Sequence, residues 1–109
     1  MNTPSPPSSN DAIAAAVDAV MSYLDTLHDT PDAARAAEAR LILKHGLDNY
    51  VSAPTAERRA GRLANLQYGL GPKGIFDWVW PARIEAELRT LADRFNTACR
   101  DASHLKPAD

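Results

Sequence analysis

The stretch NDAIAAAVDAVMSYLDTL, residues 10–27, carries its large aliphatic side chains at Ile13, Val17, Val20, Leu24 and Leu27. Spacings of four and three alternate, and at 3.6 residues per turn this lines all five along one side of a helix. Asp11, Asp18, Ser22, Asp25 and Asp29 fall on the opposite side. The segment therefore predicts an amphipathic helix with an acidic outer stripe. Ser9 or Asn10 is placed to cap it by accepting from a free first-turn N–H, and Asp11 suits the positive end of the helix dipole.

The same periodicity returns near the other end. Ile84, Leu88, Leu91, Phe95, Ala98 and Ala102 form an apolar seam, with Arg83, Glu87, Thr90, Arg94, Thr97 and Asp101 outside it. This helix is expected to start between Asp77 and Pro81, with Asp77 as a candidate cap, and to finish near Ser103. Arg83 with Glu87, Glu85 with Arg89, and Arg89 with Asp93 have the i, i+4 spacing of supporting ion pairs.

Two further helical segments lie between. Thr30-Pro31 is a start signal, because proline at a first helical position gives up an N–H that has no helical partner. The run 32–45 follows, where Leu41, Ile42 and Leu43 are consecutive and so spread around the cylinder, leaving more than one side open to contact. Gly46 reads as a C-terminal cap or an interior glycine, and 47–51 as helix or turn. After Ser52-Ala53-Pro54-Thr55 a weaker stripe runs through Ala56, Ala60, Leu63, Leu66 and Leu70, with Arg58, Arg59, Arg62 and Asn65 on its wet side. Gly69-Leu70-Gly71-Pro72-Lys73-Gly74 ends that segment, since it concentrates helix breakers.

No stretch alternates with the period of two that strands require. The expectation is an all-α protein, a small helical bundle or orthogonal array of about four helices, or three if Pro54 merely interrupts one irregular segment. The single helical domain is placed at 10–104. A Pro/Ser-rich tail at 1–9 has too little apolar surface to offset its ordering entropy, and a short tail at 105–109 follows the last helix.

Composition narrows the function classes. At 45% hydrophobic and 24% charged residues the chain is ordinary for a globular protein rather than a disordered one. It lacks the roughly 18 consecutive apolar residues of a membrane span. No secretory leader or lipidation box is evident, and one cysteine cannot make an internal disulfide, so a cytoplasmic location is expected and no membrane partner. A net charge of -2 argues against binding nucleic acid through overall positive charge.

Candidate chemistries fare poorly. Gly69-x-Gly71-x-x-Gly74 spells a dinucleotide-binding string, but the chemistry needs a strand before the glycines and a helix N-terminus directly after them, whereas a helix precedes this one. His28, His45, His104 and the lone Cys99 lack metal-ligand spacing. Cys99 and His104 sit about 140° apart on a helix, which does not make a nucleophile and base. No catalytic site, cofactor or metal is expected, and the protein reads as a non-enzyme.

Binding offers more. Ile75-Phe76-Asp77-Trp78-Val79-Trp80 holds both tryptophans directly after the Gly/Pro turn, and tryptophan is the residue most enriched at binding hot spots. These side chains either plug one end of the bundle or meet a partner, and one tryptophan buried with the other presented would combine the two. The leading expectation is a protein–protein interaction module that uses the aromatic loop 69–80, with Lys73, Ile75, Phe76, Trp78 and Trp80 as contacts. Adaptor, assembly chaperone, or a small inhibitor of the kind phages and other mobile elements encode would all suit a small bacterial or phage protein. The alternative is a helix-turn-helix-like DNA-binding regulator in which Arg58, Arg59 and Arg62 of the third helix reach phosphates or guanine edges. A homodimer, with the first and last helices extending the core across a symmetry axis, is compatible with either.

Overall fold

A computed structural model describes residues 9–104, with side chains described for 11–101. It contains four α-helices and, among the described residues, no strand: α1 (Ser9–Asp25), α2 (Ala33–Val51), α3 (Ala56–Gly69) and α4 (Ala82–His104), with short 3-10 turns at Thr26–Asp29 and Ile75–Asp77. The all-α expectation is met. The tail segments 1–8 and 105–109, and the capping side chains of Ser9 and Asn10, lie outside what is described.

α1 is the central element, packed against α2 on one flank and α4 on the other, while α3 lies against α2. Its seam of Ile13, Val17, Val20 and Leu24 is buried, and Leu27 continues it into the 3-10 turn. The aspartates opposite are exposed, as the periodicity requires. Tyr23, near the end of α1, lies within the electrostatic reach of Arg83 and Glu87 near the start of α4, so the two helices run antiparallel. At the α1–α2 corner the Thr30 hydroxyl donates to the Leu27 carbonyl at 2.7 Å and accepts from Asp32 N–H at 3.2 Å. Pro31 therefore belongs to the turn, and α2 begins two residues later than the proline signal implies.

α2 runs unbroken through Gly46 to Val51, which settles both open points in that region. Its buried seam is Ala36, Ala39, Leu43, Leu47 and Tyr50. Of the three consecutive aliphatics only Leu43 faces inward, and Leu41 and Ile42 are left at the surface. Gly46 is interior because a Cβ there would stand 2.9 Å from Leu66 Cδ2, so its absence lets α3 close onto α2.

α3 is capped by Thr55, whose hydroxyl accepts from Arg58 N–H at 3.1 Å. The stripe expected along α3 holds only in its C-terminal half. Leu66 and Leu70 are buried and Leu63 is half-buried, but Ala56 and Ala60 are exposed. α4 matches expectation along Ile84, Leu88, Leu91 and Phe95, with Ala92 and Cys99 also buried and the outer charged positions exposed. It starts at Ala82, where Glu85 N–H bonds to the Pro81 carbonyl at 2.9 Å, so Asp77 is not its cap. Of the i, i+4 pairs, Glu85–Arg89 closes at 2.9 Å. No helix among the described residues is long and apolar enough to cross a membrane.

Tyr50 and Cys99 end up near each other in the core, and burial raises the pKa of both, chiefly by desolvating the charged forms. Gln67 hydrogen-bonds the Cys99 side chain and offsets part of the thiol's shift. Groups that ionise later in the folded state than in the unfolded one stabilise the fold below their ordinary pKa and cease to do so as pH rises through the raised values. The urea midpoint should accordingly fall once pH exceeds about 9, and Cys99→Ala should reduce that fall. A midpoint flat from neutral to strongly alkaline pH would contradict this burial.

Candidate functional site

The chain between α3 and α4 reverses tightly and then stretches across the bundle end. Leu70 N–H bonds to Leu66 O at 3.0 Å, Gly71 N–H to Tyr68 O at 3.1 Å, and Gly74 N–H to Gly71 O at 3.0 Å. A Cβ on Gly74 would stand 2.1 Å from the Gly69 carbonyl oxygen, so glycine is required there by close backbone approach. This accounts for the glycine string as a turn. α3 precedes it and α4 begins only at Ala82, so the strand-turn-helix setting of a dinucleotide site is not formed.

Beyond the turn, Ile75 inserts into the core, and Trp80 returns to it with 6% exposure. The indole Nε1–H of Trp80 donates to the Ile75 carbonyl at 2.8 Å, which satisfies its one polar group inside an apolar setting. Trp78 has an extended backbone (φ −80°, ψ 151°), and residues 79–81 form no regular element before α4. In extended backbone successive side chains point to opposite faces, which puts Trp78 and Trp80 together and Val79 away from them. The two indoles stack with centroids 6.0 Å apart and planes 23° from parallel. Val79 is left 81% exposed, the most open large apolar side chain among the described residues.

Arg35 of α2 fixes this strap from the side. Its Nη1 donates to the Val79 carbonyl, and its guanidinium lies 5.9 Å from the Trp80 ring centroid. Asp32, one turn earlier, stands 3.9 Å from the same nitrogen. On the other side of the strap the guanidinium of Arg89 sits 5.4 Å from the Phe76 ring centroid while also pairing with Glu85.

The expected contact residues are therefore divided. Ile75 and Trp80 are core side chains rather than presented ones, Phe76 and Trp78 are half-buried, and Lys73 is exposed. Phe76 lines a groove with Gln67, Leu70, Arg89 and Asp93, whereas Trp78 and Val79 border a shallow depression with Ala34, Arg35 and Glu38. Val79 and Arg35 were not among the expected contacts. The signal for Val79 was present in the alternation Trp78-Val79-Trp80, which places valine opposite two large rings once the segment is extended. Nothing local in the sequence links Arg35 to a carbonyl 44 positions away.

The arginines of α3 have structural duties. Arg62 Nη1 donates to the Asn49 carbonyl at 2.7 Å, and Arg59 Nη2 donates to the Ala53 carbonyl at 3.3 Å. Asn49 lies in the last turn of α2, where carbonyls lack helical partners and the dipole is negative, a favourable place for a cation. Arg58 is exposed. Lys44 pairs with Asp48 at 2.9 Å. Asp18 and Asp25 of the acidic stripe border a groove between α1 and α2 that also contains Arg40, Lys44 and Asp48, so these two aspartates share it with both signs of charge.

Comparisons with protein-family models, with curated proteins and with solved structures give no match for this chain.

Two contrasts test this geometry. Gly74→Ala should cost about 2–4 kcal/mol because the clash is with backbone. Gly46→Ala should be within about 1 kcal/mol of neutral, since a side-chain terminus can shift and alanine favours helix. Likewise Trp80→Ala should lose about 3–5 kcal/mol, whereas Trp78→Ala should lose clearly less, both read from urea unfolding. Equal losses within either pair would contradict the close backbone approach at Gly74 or the burial of Trp80.

Proposed function

We propose that the chain is a non-enzymatic protein-interaction module that engages a partner protein through the strap 75–80, with Trp78 and Val79 as the central contacts and Lys73 and Phe76 towards the rim. The observation that carries this reading is Val79, held in the open beside a half-buried tryptophan on backbone pinned from both directions. Arg35 grips the Val79 carbonyl, and the stacked Trp80 anchors its neighbour to the core. Ordering a loop at an interface consumes binding free energy, and a strap already ordered in the free protein avoids that cost. Tryptophan and arginine side by side are also the residue types that dominate measured hot spots.

An adaptor, an assembly chaperone or a small inhibitor would each use such a surface. The DNA-binding alternative draws less support than the spacing of Arg58, Arg59 and Arg62 suggests, because two of the three guanidinium groups are held on backbone carbonyls. Phosphate contact by these residues would also show as a steep loss of DNA affinity with rising salt.

The test places a photo-crosslinking side chain at position 79 and, as a control, at the exposed position 60 on α3, in the native cell. A discrete adduct from 79 that is missing from 60 is expected. Trp78→Ala and a charged replacement, Val79→Asp, should abolish capture of that partner while the circular dichroism stays helical. Trp80→Ala is unsuitable because Trp80 is core. Identical adducts from both positions, or capture indifferent to Val79→Asp, would overturn the reading.

A further inference from the structure

α2 leaves two adjacent large aliphatic side chains in water, Leu41 at 56% and Ile42 at 44% exposure. At 100° per residue they flank the line on which Glu38 and His45 lie, on the side of the helix opposite Leu43. Glu38 and His45 are exposed as well. A lone exposed leucine is ordinary, but an apolar pair centred between an acid and an imidazole has an arrangement that can be checked for self-complementarity.

We propose that this face joins two copies of the chain, packed as antiparallel α2 helices about a two-fold axis midway between Leu41 and Ile42. Glu38 precedes that midpoint by as many residues as His45 follows it. The axis therefore brings each Glu38 level with His45 of the second copy, and each Leu41 and each Ile42 to its own symmetry mate, the isologous pattern of a closed dimer. Within one helix Glu38 and His45 are seven residues, about 10 Å, apart, so their pair closes only between copies. An imidazole offers an N–H to a carboxylate in either protonation state. A parallel pairing would instead oppose Glu38 to Glu38 and His45 to His45. The match of carboxylate to imidazole thus selects both the occupant, a second copy, and the direction.

The dimer goes beyond the partner reading and rests on Leu41, Ile42 and His45, which that reading does not use, together with Glu38, which also borders the depression beside Trp78 and Val79. The face differs from the α1 and α4 surfaces expected to extend the core, because the apolar seams of those helices are consumed against each other and against α2. Val79 and Arg35 lie towards one end of this face, so the pair would hold two straps about 20 Å apart along the helix axis.

Sedimentation equilibrium from micromolar to millimolar chain concentration should show a monomer–dimer equilibrium. Leu41→Glu should weaken it by about tenfold or more with the helical circular dichroism unchanged. Glu38→Lys and His45→Glu should each weaken it, and the two combined in one chain should restore it, because every cross-copy pair is then merely reversed. A monomer at every concentration overturns the proposal. So does self-association that Leu41→Glu leaves intact, or a double variant no tighter than the singles. Self-association released only by deleting residues 1–8 would assign the face to the chain's own end and overturns it equally.

Discussion

The burial of one aliphatic seam from both sides is the constraint on which the remaining structure depends. Ile13, Val17, Val20 and Leu24 reach at most 2% exposure, because α2 and α4 each cover part of the arc they occupy. Each such side chain contributes about 1.5–3 kcal/mol when fully buried, and neither neighbour alone shields all of it. α1 therefore needs a partner on each flank, which fixes α2 and α4 and leaves α3 to pack on α2. Short corners follow from that order, and the long excursion falls between α3 and α4, which border a common groove lined by Gln67, Leu70, Arg89 and Asp93.

That excursion explains why aromatic residues gather where they do. The bundle end it crosses would expose apolar atoms of several helices, and Ile75 and Trp80 close it with large side chains. An indole buried there must find an acceptor for its N–H, and the nearest is supplied by the strap itself, the Ile75 carbonyl. The same constraint orders the backbone between them. Once Trp80 is fixed inward and Trp78 stacks on it, Val79 between them is left outward, with its carbonyl taken by Arg35. The exposed valine is thus a consequence of how the end is sealed.

Legibility followed side-chain size. α1 and α4 were readable because their seams use large aliphatic and aromatic residues at unambiguous spacing. α2 was half-readable, because its inner side is built partly from Ala36 and Ala39, whose small side chains do not stand out from the other alanines of the segment, while two of its three conspicuous aliphatics face water. In α3 the same ambiguity misled in the other direction, since Ala56 and Ala60 keep helical spacing but lie beyond the reach of α2. Gly46 was undecidable for a related reason: an interior glycine and a terminal one differ only in what packs against them, here Leu66. At the candidate site the sequence located the strap but not its division into core and surface. That division rests on Arg35 and on the Ile75 carbonyl, one of them distant in sequence and the other a backbone group with no sequence signature.

Arg35 is where the two surfaces of the molecule become one mechanical unit. Its stem belongs to α2 a turn before Glu38, and its head holds the Val79 carbonyl and lies against the Trp80 ring. A force on the strap is therefore carried into α2 through a charge-assisted hydrogen bond and a ring contact. The apolar side chains exposed on α2 and on the strap are thus linked through one residue, Arg35. Had the strap been tied to α4 alone, through Arg89 and Phe76, its position relative to Leu41 and Ile42 would depend on the slack of the whole α3–α4 connection.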